Sequence, residues 1–250
     1  MKKLLTATLC ILLSIVFITG CVTINFTEGR GGVSGSGNME TFTLSVGEIT
    51  DITEIRVELL CNIVFQSASS STATLQIQPN LMEYITVQET GGILTVRSSR
   101  TISSLGSTNT PVLTVSSPSL TRISHTGAGT ITTEDIIAGD SFSLSITGAA
   151  SGNVRLDVQN LSVSLAGAGD LTLSGTADTA TISLAGAGRL AAFELQTRVA
   201  SIDLAGAGTV RISCSETLNV SAGGVGTVEY RGSPSVDISR GGLVTVRQVN

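Results

Sequence analysis

Ile182–Leu190 reads ISLAGAGRL, an apolar strand that runs into Gly-Ala-Gly and out toward a second apolar segment. Taken alone it has the look of a dinucleotide-binding opening. That fingerprint needs G-x-G-x-x-G at one strand-to-helix junction and an acidic residue on a later strand. Here the third Gly is missing after Gly188, and near-copies stand at LAGAGDL (165–171) and LAGAGTV (204–210). A motif that recurs down the chain is a bend and not a phosphate cradle. Gly permits positive φ where the backbone turns sharply, and the Ala beside it stacks on the Ala of the neighbouring unit.

Aligned on the Gly that opens each small-residue cluster, the pattern extends to Gly127, Gly148, Gly167, Gly186, Gly206, Gly224 and Gly242, at intervals of 21, 19, 19, 20, 18 and 18 residues. A near-fixed period over many units signals a solenoid, each unit stacked on the last. Four residues before the Gly stand Ile123, Leu144, Val163, Ile182, Ile202, Val220 and Ile238; two before it stand His125, Ile146, Leu165, Leu184, Leu204, Ala222 and Arg240. Spacing by two puts both columns on one face of a short strand. A second strand follows the bend with Ile131, Leu171, Leu190, Val210, Val228 and Val246. Such a unit is too short for a βαβ crossover, which takes roughly thirty residues. It fits one coil of a parallel β-helix, whose equivalent residues stack about 4.8 Å apart.

We therefore expect an all-β fold: a parallel β-helix or β-solenoid over 122–250 with rungs of about 18–21 residues, preceded by a β-rich N-terminal part over 39–121. In that earlier part FTLSV, EIRVELLCNIVFQ, ATLQIQ, YITVQE, GILTVR and VLTVSS alternate apolar and polar residues between turn signals. His125 and Arg240 interrupt the second column at its two ends, so both are expected to cap the solenoid, whose terminal units lack one neighbour. The position after the bend holds Thr130, Ser151, Asp170, Arg189, Thr209, Thr227 and Thr245. Asp170 and Arg189 are expected to form a surface pair across adjacent rungs, and the last three threonines a hydroxyl ladder. One Asp in that column excludes a calcium-binding β-roll, which needs one in every turn.

The N-terminus carries Lys2 and Lys3, an apolar run from Leu4 to Ile18, and Thr19-Gly20-Cys21. This is the pattern of an export signal, and Ile18–Cys21 resembles the lipobox of bacterial lipoprotein precursors. Residues 1–20 are expected as the signal peptide and Cys21 as the lipidated residue. Residues 21–38, with TEGRGGVSGSGN at 27–38, are expected as a flexible tether. The alternative is an uncleaved anchor from Leu4 to Phe26. Either way the body lies outside the cytoplasm. Cys61 and Cys214 then remain; an exported pair of cysteines can bridge, but both fall in apolar alternation and look like small buried hydrophobes.

Across the 250 residues aromatics are 3%, Trp is absent and charged residues are 13%, against about 25% in an ordinary domain. The core must then be built from Val, Ile, Leu and Ala. A net charge of −5 without a basic block excludes nucleic acid as a partner. The acidic residues fall at differing offsets in the units, without the paired carboxylates of sugar cleavage. The lone His has no metal-spaced or triad partners. No catalytic residue, metal ligand or cofactor is expected.

The chain resembles the bacterial family described as "putative auto-transporter adhesin, head GIN domain". The resemblance runs from about Ile52 to the C-terminus. It rests on ITEIRVELLCNIVFQ (52–66), PNLMEYI (79–85), GGILTV (91–96) and the closing units ASIDLAGAGTV to LVTVRQVN (200–250). The last unit departs most, with Arg240-Gly241-Gly242-Leu243 in place of Gly-Ala-Gly. The resemblance implies an exported, often lipid-anchored, all-β body and brings no catalytic residues. The expected function is a non-catalytic cell-envelope lipoprotein that binds or scaffolds, adhesin-like, at the outer membrane or cell surface. Its expected partners are the membrane, through acyl (palmitate) lipid on Cys21, and an envelope or extracellular protein or glycan. Self-association is left open. The alternative is a glycan-binding or glycan-cleaving β-helix.

Overall fold

Buried and exposed side chains alternate through nearly the whole described chain, as the period-two pattern requires of strands with one face in a core. The computed structural model describes residues 32–44, 51–105 and 109–250. The strands of the first half are β1 (Val33–Ser34), β2 (Glu40–Thr43), β3 (Glu54–Glu58), β4 (Asn62–Ser67), β5 (Thr72–Ile77), β6 (Ile85–Thr90), β7 (Ile93–Ser98), β8 (Ile102–Ser104) and β9 (Val112–Ser117). One short helix, α1 (Pro79–Met82), interrupts them, started by Pro79. Then come β10 (Arg122–Thr133), β11 (Ile137–Leu204), β12 (Ala207–Ala222), β13 (Val225–Arg231), β14 (Ser235–Arg240) and β15 (Leu243–Gln248). The fold is all-β, and its main body is a mixed sheet of 13 strands.

Strand β11 is 68 residues long. Straight, it would span about 220 Å, so it must bend repeatedly. It does so at glycines, with positive φ at Gly148, Gly167 and Gly186. Each repeat lies beside the next in parallel register: Gly127 faces Gly148, Ala187 faces Ala207, and Ala207 faces Val225. The glycine column is demanded by contact as well as by φ. A Cβ on Gly148, Gly167, Gly186, Gly206, Gly224 or Gly242 would overlap the carbonyl oxygen of the glycine one repeat earlier. That oxygen is in use: the N–H of Val225 donates to Gly206 O at 2.8 Å, and the N–H of Leu243 to Gly224 O at 2.9 Å. The divergent last repeat keeps this stacking, because Gly242 still stands over Gly224. The expected bends are thus tight points within continuous ladders.

The inward columns form one core. Ile123, Leu144, Val163, Ile182, Ile202 and Val220 are buried, as are Ile131, Leu171, Leu190, Val210 and Val228. Ile238 and Val246, in the outermost strands β14 and β15, are only half-buried. Cys61 and Cys214 are both buried and free. Burial pushes the Cys61 thiol up to about 12, so it packs as a small apolar group and not as a nucleophile.

Residues 39–121, whose relation to the repeats the sequence leaves open, belong with them to one compact unit, Gly32–Asn250. Strand β3 pairs in parallel with Arg122–His125 of β10, and β4 with Ile131–Thr133; β7 and β9 then extend those ladders. Among the described residues the antiparallel pairs are β2–β5, β5–β9 and β6–β7, all at this N-terminal end. Part of the expected tether is also held: β1 pairs with β8, and the N–H of Ser36 donates to Asn80 Oδ1 at 2.9 Å. Cys21 and the expected signal peptide lie outside the described residues.

His125 is accordingly not a cap. It sits between Val57 and Ile146 in the ladder and is 1% exposed. Its Nε2 donates to the carbonyl oxygen of Leu59 at 3.3 Å, which leaves Nδ1 buried without a partner. Burial holds its pKa below the ordinary 6.5, with the bond to Leu59 pulling the other way. Below that ordinary value the unfolded chain binds a proton that the folded chain refuses, so stability is lost as the pH is lowered. Thermal midpoints taken between about pH 7.5 and 5.5 should decline in the wild type and stay level in His125→Leu. Equal slopes in both would show that His125 does not carry the acid sensitivity.

Candidate functional site

Beyond the second inward strand of each repeat, outward side chains line an open groove of ≈ 600 Å³ that runs from Ala138–Gly139 across the strands to Ser215. Because it crosses a parallel ladder, each step along it moves to the equivalent place in the next repeat. The polar groups on its floor are tied from repeat to repeat. Gln159 Nε2 donates to Asp140 at 3.2 Å, and the Thr176 hydroxyl donates to Asp157. Arg198 bridges two neighbours, at 3.8 Å from Asp178 and 2.8 Å from Glu216. These are exposed pairs, each worth about 0–1 kcal/mol at most. Their effect is to hold side chains in fixed places along the groove.

A second hollow of ≈ 300 Å³ continues the first, sharing Gln196 and Ser215 and ending at Phe193, Arg231 and Gly232. Its shape comes from a break in the ladder. Ala192 faces Ile212 and Gln196 faces Ser213, so Phe193, Glu194 and Leu195 have no partners on β12. Such bulges re-aim side chains. Leu195 turns into the core, while Phe193 stays half-buried and Glu194 exposed. Two bonds stitch the bulge down: Ser213 Oγ donates to the carbonyl of Phe193 and Thr197 Oγ1 to the carbonyl of Ser213, each at 2.7 Å. Arg231 lies over the Phe193 ring, its Cζ 4.2 Å from the ring centre.

Beside this hollow Glu229 is nearly buried between two arginines placed in register with it, Arg211 and Arg247. Arg211 Nε donates to it at 2.7 Å and Arg247 Nε at 3.0 Å. Arg247 first, then Arg211, hold the Glu229 carboxyl below the usual range, against its desolvation. The cluster fixes the end of the sheet and leaves Arg231 as the arginine that faces the hollow.

The register puts Thr209 opposite Thr227 and Thr227 opposite Thr245, with Arg189 opposite Thr209. The expected Asp170–Arg189 pair does not close: no ion pair joins them within 4.0 Å among the described residues. Both are exposed, and a short Asp side chain gains too little in water to hold a long Arg. Arg240 lies opposite Ala222 on β14, exposed, with no strand beyond it among the described residues. Sequence reasoning missed the charged columns that do close. Arg211, Glu229 and Arg247 recur at 18-residue intervals, the local period, and that spacing was the available signal. No cluster of three or more His, Cys, Asp or Glu able to hold a metal occurs among the described residues.

The family model described as "Putative auto-transporter adhesin, head GIN domain" matches residues 51–234. Among solved structures, a "putative adhesin" from Bacteroides fragilis NCTC 9343 superimposes with a TM-score of 0.80 at 23% identity, covering 87% of this chain and 100% of the other. A "putative lipid binding protein" from Parabacteroides distasonis ATCC 8503 gives 0.68 at 22% identity, covering 87% and 99%. A "putative adhesin" from Parabacteroides merdae ATCC 43184 gives 0.64 at 19% identity, with the same coverage. At these identities the likeness is one of fold. A search of curated protein sequences returns no match.

Proposed function

This chain belongs to the head GIN domain family, and from that premise we propose that it is an extracytoplasmic, lipid-anchored binding module that acts as an adhesin-like or scaffolding protein without chemistry of its own. Residues 1–20 serve as the signal peptide and Cys21 as the anchor. The body is read as a parallel β-helix, since its repeats pair in parallel at offsets of 21, 20 and 18 residues while one strand of 68 residues passes through several of them. The binding face is the groove that crosses the repeats from Ala138 to Gly232.

The observation that carries this reading is the groove's lining. Its hydroxyl, amide and charged side chains recur at the ladder spacing, on a scaffold held by stacked glycines. Its carboxylates are engaged by Thr176 and Arg198, which suits recognition better than paired acid and base catalysis. The occupant is an envelope or extracellular glycan or protein.

The test has two arms. Cells carrying Cys21→Ser should release the chain from the membrane fraction and lose lipid labelling; unchanged retention would mean an uncleaved helix. Immobilised full-length chain should retain components of a cell-envelope extract, and Thr176→Val with Arg198→Ala together should reduce that retention severalfold. Retention untouched by the double change would remove the groove from the proposal.

A further inference from the structure

We propose that the Phe193 bulge builds a carboxylate-binding subsite, centred on Arg231, that selects glycans carrying one acidic sugar at this end of the groove. The inference rests on the reading of this face as a binding surface. Arg231 has the arrangement of a guanidinium awaiting a partner. Its Cζ lies 4.2 Å from the centre of the Phe193 ring, and its Nε is buried without a hydrogen-bond partner. Its side chain is nevertheless 43% exposed, so its outer edge faces the hollow. The nearest carboxylate, Glu194, stands at 4.0 Å with its side chain 79% exposed. That contact is long and open to water, and a ligand carboxylate can displace it. The neighbouring arginines are not free to compete, since Arg211 and Arg247 are held by Glu229.

One arginine fork matches one planar monoanion, in the two-point geometry that Lys cannot reproduce. The rest of the lining selects a sugar. Gln196 and the Ser213 and Ser215 segments surround the hollow, and these are groups that pair with hydroxyls. Toward the larger groove, equivalent positions recur about every 4.8 Å, close to the length of one pyranose unit in an extended chain. Charge sets the limit on the ligand. Asp157 and Asp178 line the larger groove with Arg198 as the one cation beside them among the described residues. That leaves a net negative charge that disfavours an anion there, so a uniformly acidic polymer fits less well than a neutral chain ending in one uronate.

Binding of a β-1,4-linked glucose tetrasaccharide bearing a single terminal glucuronate should be measured by calorimetry on the mature full-length chain in detergent, beside the all-glucose tetrasaccharide and a polyglucuronate. The uronate-capped sugar is expected to bind about tenfold tighter than the neutral one, and tighter per site than the polymer. Arg231→Gln should abolish the difference, Arg231→Lys should restore only part of it, and Glu194→Gln should increase it. Unchanged thermal midpoints in these variants would confirm that they fold. Equal binding of capped and neutral sugars, or a preference that survives Arg231→Gln, overturns the subsite and leaves the groove as a binding face. Binding of neither sugar also overturns it, and the groove then stands or falls on the envelope-extract experiment.

Discussion

Gly224→Ala is expected to cost about 3 kcal/mol or more of folding stability, while Gly223→Ala, one residue earlier, should change it by less than about 0.5 kcal/mol. The two glycines share a chain segment and differ in what a methyl group would meet. At Gly223 nothing lies within 4 Å of an added Cβ. At Gly224 that Cβ overlaps the carbonyl oxygen of Gly206, which already accepts the N–H of Val225. The intruding atom is opposed by backbone, so no rotamer change can relieve it and the two strands must part. Gly148→Ala should be worse still, about 4 kcal/mol or more, because φ is +126 there and about 1–3 kcal/mol of backbone strain adds to the overlap with Gly127. Denaturant unfolding followed by circular dichroism checks all three. Equal losses at positions 223 and 224 would show that glycine serves chain flexibility here and not close stacking.

Leu184→Ala should cost about 3–5 kcal/mol, against about 1 kcal/mol for Ile238→Ala. Leu184 is fully buried, and its two methyl groups reach across the glycines on either side of it. Cδ1 lies 3.5 Å from where a Cβ of Gly188 would be, and Cδ2 2.6 Å from where a Cβ of Gly208 would be. The residue therefore fills space that the small-residue column leaves open. Truncating it leaves a cavity between strands whose spacing the ladder fixes, so the core closes over it only in part. Ile238 belongs to the neighbouring inward column but lies in β14, with no strand beyond it among the described residues and its side chain only half-buried. A similar loss at both positions would indicate that the last repeat is covered as well as the middle ones.

The repeat was legible because the contact that causes it leaves no latitude. Each repeat sets its glycine on the carbonyl of the repeat before it, so Gly must recur at every step from Gly148 onward. The same contact explains why the signature begins only at Gly127. Below it lies Leu59, and a Cβ on Gly127 would stand 2.6 Å from the Leu59 carbonyl oxygen. The lower partner contributes only its backbone, so Leu59-Leu60-Cys61-Asn62 can do without glycine. The β3–β4 segment is thus one more layer that carries no mark of it in sequence. The contrast in sequence between 39–121 and 122–250 thus reflects a one-sided requirement for glycine.

The candidate site was less legible than the fold. Asp170–Arg189 satisfied the same column logic as Arg211–Glu229–Arg247, yet only the second set closes. Glu229 is nearly buried and held from both sides, whereas Asp170 and Arg189 are exposed. Period alone does not report that difference in solvation. Nor does it report the Phe193 bulge, whose three unpaired residues appear in sequence only as an interval of 20 between Gly186 and Gly206, followed by one of 18.

The sequence by itself determined the strand class, the repeat period and the columns of the core, because a parallel ladder imposes one side-chain requirement on every repeat. Only the tertiary structure decided which segments closed the stack. His125 became a core residue through contact with Leu59, 66 residues away in the chain, and Arg231 came to face a hollow through a bulge two repeats behind it. Those outcomes depend on what a distant segment removes from water, and no local pattern of residues encodes that.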